Sequence, residues 1–109
     1  MARTLSRQAR DAAVALGALI AAGRRSRAST AKDFAERVGV SVVTLRKVES
    51  GDASVALGTY LEAAVLAGVP LFNVDSRELA SAADLARTRL ALLPDRVRSA
   101  TSGDHDDDF

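Results

Sequence analysis

Residues 28–51, ASTAKDFAERVGVSVVTLRKVESG, constrain the fold more than any other part of the chain. They hold two short helical patterns separated by a Gly-Val pair and closed by a second Gly. Thr30 stands where a hydroxyl can cap the first helix, and Phe34, Ala35 and Val38 then share one face at helical spacing. Gly39 can take the left-handed backbone that turns the chain sharply. Ser41 can cap the second helix, which then points Leu45 and Val48 inward and Val42, Val43, Thr44, Arg46 and Lys47 outward.

Two helices joined in this way form the helix-turn-helix layout, whose second helix enters a DNA groove. An exposed Val-Val-Thr run beside Arg46 and Lys47 suits that task. Apolar side chains meet thymine methyl groups, and Arg and Lys meet guanine edges or phosphates. The plain alternative for any single helix pair is a packed hairpin with a solvated polar face. Caps, turn glycine and inward residues together favour the reader.

The stretch from Leu16 to Val69 resembles the Xre/Cro/C1-type helix-turn-helix domain over about half the chain. Leu16-Gly17, Ile20 and Arg24 carry the resemblance in the first helix, Thr30 with Phe34-Ala35 in the second, and Gly39-Val40-Ser41 at the turn. Thr44-Leu45 and Glu49-Ser50-Gly51 carry it in the recognition helix. The resemblance implies an all-α, five-helix lambda-repressor-like domain and a structural ion pair between Glu49 and Arg24. Many family members have Gln after the capping Thr, where this chain has Ala31; Lys32, one residue on, offers a phosphate contact instead. The candidate DNA-binding residues are Thr30, Lys32, Ser41, Val42, Val43, Thr44, Arg46, Lys47 and Ser54. Ser54 can cap the next helix or touch a phosphate through its hydroxyl, and the resemblance extends a backbone contact to Thr59.

Flanking segments follow simple patterns. A helix is expected over residues 8–27, and another over residues 57–68, closed on the core by Leu57, Leu61, Ala64, Val65 and Gly68. Residues 51–75 are similar to antitoxins of the HipB group, in which a short strand pairs with its twin across a dimer. Leu71, Phe72 and Val74 are the dimer-interface candidates, with Phe72 and Val74 on one face of such a strand. A loop whose Leu71 and Phe72 plug the core is an equal alternative, since four apolar residues do not decide. Ser76 opens an extra C-terminal helix with Leu79, Ala82, Ala83, Ala86, Leu90 and Leu93 on one face, and Pro94 stops it. Residues 93–98 are similar to the tail of Xre regulators encoded beside HipA-type kinases. The expected organisation is an Xre-type DNA-binding domain over 8–75, a helical extension over 76–98 and a disordered acidic tail over 99–109.

Charge is divided unevenly along the chain. Residues 1–51 carry ten basic and four acidic side chains, a balance of +6, and residues 52–109 carry five basic and ten acidic, a balance of −5. The positive field therefore lies on the half with the reading helix, as phosphate binding requires. The acidic half suits a protein partner, and its run from Asp104 to Asp108 can dock in a partner's basic cleft or fold back on the reader. As a cation site that run lacks preformed geometry, and His105 within it has no rigid partner, so no metal is expected.

Hydrophobic content of 48% comes mainly from Ala, Leu and Val, giving a thin core that favours a homodimer. The absence of Cys excludes disulfides and Cys-based zinc sites and fits a reducing cytoplasm. No apolar run approaches about 20 residues and the N-terminal stretch lacks a secretory pattern, so neither membrane nor export is expected. With one His, no Cys and no Gly-rich phosphate loop, no enzyme activity or cofactor is expected. The leading expectation is a DNA-binding repressor acting on double-stranded operator DNA, the antitoxin partner of a HipA-like toxin kinase. A stand-alone or phage-like Xre regulator and a helix-turn-helix adaptor that does not read DNA are the alternatives.

Overall fold

The computed structural model describes residues 4–95. Helices α1 (Arg7–Ser26), α2 (Ala31–Val38), α3 (Val42–Ser50) and α4 (Leu57–Ala67) are followed by a 3-10 turn at Ser76–Glu78 and by α5 (Leu79–Ala91). Among the described residues there is no strand, and the architecture is the all-α, lambda-repressor-like one expected. The chain divides into two compact units at Ser76.

Local chemistry sets the helix ends of the first unit. Side-chain oxygens of Ser6, Thr30 and Ser41 accept from the backbone N–H of Ala9, Asp33 and Thr44 at 3.0, 3.1 and 3.1 Å. Each satisfies one of the donors that a helix start leaves open, worth about 1 kcal/mol. Gly39 and Gly51 end α2 and α3 in the left-handed region, with φ of 92° and 82°, where a Cβ is costly.

The core of this unit lies where α1 packs on α3 and α4, with α2 against the same two helices. Ile20 of α1, Phe34 of α2 and Leu45 and Val48 of α3 are its largest buried side chains; each contributes about 1.5–3 kcal/mol by leaving water. α4 is rotated from the orientation its sequence suggests. Its buried face is Tyr60, Ala63, Ala64 and Ala67, whereas Leu57 is 68% exposed and Val65 41% exposed. Alanine gives little orienting signal in sequence, yet here it lets backbones approach closely. A Cβ on Gly23 of α1 would stand 2.3 Å from the carbonyl oxygen of Ala67, and a Cβ on Gly17 would stand 2.3 Å from that of Val48.

Loops bring two further corrections. Ser54 does not cap α4, whose N-cap is Ala56 with no side-chain bond; instead Asp52 Oδ1 accepts from the Ser54 backbone N–H and hydroxyl at 2.8 and 2.6 Å. That aspartate organises the loop, and the bonds hold its carboxyl below its ordinary value of 3.8. Residues 71–74 form neither a strand nor a double core plug. They make a tight turn in which the Val74 N–H donates to the Leu71 carbonyl at 3.1 Å, with Phe72 and Asn73 at φ of 56° and 61°. Two consecutive positive φ angles are the signature of a type I′ turn. Leu71 packs against the core, but Phe72 is 80% exposed. Arg27, counted above in the positive field, donates to the Leu66 carbonyl at 2.7 Å, so its charge sits at the negative end of α4.

The second unit contains α5, which buries no residue; Leu85, Leu90, Leu92 and Leu93 are all exposed. Its Arg87 pairs with Asp84 one turn away, and Pro94 follows the helix end. The expected acidic tail, including His105, lies outside the described residues. No helix among those described is long and apolar enough to cross a membrane.

Two outcomes test this packing. Gly17→Ala should cost about 1–3 kcal/mol in urea unfolding, because the added methyl meets backbone that has no rotamer to yield. Tyr60, the only tyrosine of the chain, donates to the Asp52 carbonyl at 2.6 Å. Burial first, and the Asp52 charge second, raise its pKa above the ordinary 10.0. The folded phenol therefore keeps its proton at pH values where the unfolded one has lost it. Its stabilisation is full below about pH 10 and is lost as pH rises through the folded value. Absorbance titration of this single phenol should show a midpoint above 10 that returns to the ordinary value in urea.

Candidate nucleic-acid interface

The interface is built on the outward side of α3, whose inward residues Leu45 and Val48 are fully buried. Burial of those two side chains fixes the helix's rotation about its own axis. Val43 is then 65% exposed and Arg46 and Lys47 are exposed beside it. Val42 and Thr44, expected to face outward, are half-buried. Val42 packs against the core, and Thr44 accepts from the Ser41 hydroxyl at 3.2 Å. The first turn of α3 is thus partly committed to the fold, and Val43, Arg46 and Lys47 form its free surface.

Electrostatics sharpen that surface. The single carboxylate of α3, Glu49, takes two bonds from the Arg24 guanidinium: Nε to Oε2 at 2.7 Å and Nη2 to Oε1 at 3.1 Å. Both side chains are nearly buried, at 11% and 12% exposure. A third Arg24 nitrogen, Nη1, donates to the Ser29 carbonyl at 2.9 Å, just ahead of α2. The bond to Glu49 raises the Arg24 pKa against the opposing effect of burial. This is the pair the family resemblance implies, and it removes the helix's one negative charge from the outward face. Among the described residues Arg46 and Lys47 have no ion pair.

Other candidates are placed by the neighbouring elements. Thr30 and Lys32 are exposed at the start of α2, where the open N–H groups and the positive end of the helix favour an anion. Ser41 is exposed with its hydroxyl held by Thr44, and Ser54 is exposed in the Asp52 loop. Leu71, Phe72 and Val74 sit on their own tight turn, at a distance along the chain from these groups. Tyr60 was absent from the sequence reading although its hydroxyl anchors the loop that carries Ser54. An aromatic residue at the buried spacing of an Ala-rich helix was the available signal. The described residues contain no group of three or more potential metal-binding side chains.

A family model described as helix-turn-helix matches residues 20–74, half of the chain. Comparison with curated proteins and with solved structures gave no significant match. The matched residues run from Ile20 in α1 through α2, α3 and α4 to Val74. The Thr30 and Ser41 caps, the turn glycine and the Arg24–Glu49 pair described above all fall within them, and the chain belongs to the helix-turn-helix family of DNA-binding transcription regulators.

Proposed function

We propose that the protein is a sequence-specific repressor that reads double-stranded operator DNA with α3. The observation that carries this reading is the outward face of Val43, Arg46 and Lys47 on a helix whose only acid is held by Arg24. Val43 supplies apolar contact, Arg46 reaches a base edge and Lys47 a phosphate. Thr30, Lys32, Ser41 and Ser54 complete the set as backbone contacts, and Val42 and Thr44 shape the helix start.

Operator binding by a homodimer follows in the same reading. Two reading helices about one DNA turn apart, roughly 34 Å, match a palindromic site. The exposed Phe72, presented on a turn beside Leu71 and Val74, is the proposed contact between copies. α5 supports a second, protein partner: a helix of 13 residues with no buried side chain is marginal on its own in water. We assign that partner as a HipA-like toxin kinase, which makes the chain an antitoxin that represses its own operon. The identity of the adjacent reading frame separates this from a stand-alone regulator.

Fluorescence anisotropy on selected operator DNA and on random duplex tests the reading. Arg46→Ala should lose about 1–3 kcal/mol on operator and much less on random duplex. Lys47→Ala should weaken both alike and lower the salt slope by about one unit. Equal losses for Arg46→Ala on both duplexes would make Arg46 a phosphate contact, and no binding by the wild type would overturn the reading. For the dimer, Phe72→Asp should shift sedimentation towards the monomer; an unchanged profile would remove this turn from the interface.

A further inference from the structure

Asp52 stands between the reading helix and α4, and three neighbours hold it there. Its backbone N–H donates to the Lys47 carbonyl at 2.9 Å, and its carbonyl accepts from the Tyr60 hydroxyl at 2.6 Å. Those bonds belong to the main chain and do not depend on the side chain at this position. The carboxylate has a separate role. Its Oδ1 accepts both the N–H and the hydroxyl proton of Ser54, at 2.8 and 2.6 Å. A serine has no other protons to donate, so the residue assigned above to a DNA phosphate has both donors turned on Asp52. Lys47 acts on the same carboxylate: the Ser54 bonds first, and the Lys47 charge after them, keep it ionised. An N–H, an O–H and a lysine around one anion are what a phosphate site requires, and here the anion is the chain's own.

We propose that Lys47 and Ser54 form a phosphate site, that the Asp52 carboxylate occupies it in the free protein, and that the DNA backbone must displace this internal stand-in to bind. The inference rests on the DNA-reading assignment above and adds to it a residue that works against binding. Every duplex meets the same obstacle, because every duplex offers the same phosphates. What differs is the compensation. Operator adds apolar and base-edge contacts at Val43 and Arg46, whereas random duplex has only charge to set against Asp52. Asp52 thereby lowers all affinities alike and leaves useful occupancy only where the base contacts are made.

The test uses the full chain with Asp52→Asn, which keeps the oxygen that Ser54 bonds and removes the charge, and with Asp52→Ala, which also frees Ser54. On random duplex at about 50 mM salt Asp52→Asn should bind about three- to tenfold tighter and Asp52→Ala tighter still, the gains shrinking at about 200 mM. In a chain that also carries Lys47→Ala and Ser54→Ala, either gain should fall below about twofold. A gain that survives there reflects net charge alone and overturns the proposal, and a loss of affinity in Asp52→Asn does so by making Asp52 a loop support only. Inorganic phosphate, added at constant ionic strength without DNA, should move the Lys47 and Ser54 amide signals of Asp52→Ala and leave those of the wild type in place. Unmoved signals in Asp52→Ala overturn the phosphate site even if DNA affinity rises. Phosphate capture by Asp52→Ala in a protein that binds no duplex upholds the stand-in, and the DNA-reading assignment is then what fails.

Discussion

The bidentate bond between Arg24 and Glu49 is the constraint on which the reading surface depends. A carboxylate near the C-terminal end of α3 opposes the helix dipole, and two nearly buried charges are costly unless both are well bonded. Arg24 meets that condition with three nitrogens, two on Glu49 and one on the Ser29 carbonyl. One side chain of α1 thereby fixes the end of α3 and the entry to α2. Gly17 makes the approach possible, because any Cβ there would run into the α3 backbone. The angle at which α3 presents Val43, Arg46 and Lys47 is thus decided on its opposite side, by α1.

Charge in this protein is best understood by what each cation is doing. The balance of +6 over residues 1–51 includes Arg24, neutralised by Glu49, and Arg27, seated on the last turn of α4. α2 carries Lys32 and Arg37 but also Asp33 and Glu36, so it adds little net field. What remains exposed is Arg7, Arg10 and Arg25 on α1 and the pair Arg46 and Lys47 on α3, the latter beside an exposed valine and with Asp52 acting on Lys47. A surface of that kind binds polyanions by electrostatics and selects among them by apolar and base-edge contacts. Duplex DNA offers both.

Local signals made the helix-turn-helix legible in the sequence. Thr30, Ser41, Gly39 and Gly51 act within a few residues of themselves, and Leu45 and Val48 are separated from outward neighbours by helical spacing alone. The face of α4 was only partly legible: of the expected stripe Leu57, Leu61, Ala64, Val65 and Gly68, Ala64 is buried, but the bulkier Leu57, Leu61 and Val65 marked a more hydrophobic stripe than Tyr60, Ala63 and Ala67. Tertiary packing chose the small residues because Gly23 and Ala67 bring two backbones together. Tyr60 on the Asp52 carbonyl and Arg27 on Leu66 link residues 8 and 39 positions apart, distances at which a single sequence carries no pairing information. At Phe72 and Asn73 the apolar pattern suggested extension, whereas the backbone closed its own hydrogen bond by adopting two positive φ angles.

The most direct test of this account is the affinity of a folded Glu49→Ala variant for duplex DNA, with the folded fraction checked by circular dichroism. By charge alone, removing a carboxylate from the reading helix should strengthen binding to a polyanion. If the Arg24–Glu49 bond sets the presentation of α3, the affinity must instead fall, although Val43, Arg46 and Lys47 are untouched. A folded variant that binds DNA as tightly as the wild type, or more tightly, would contradict it.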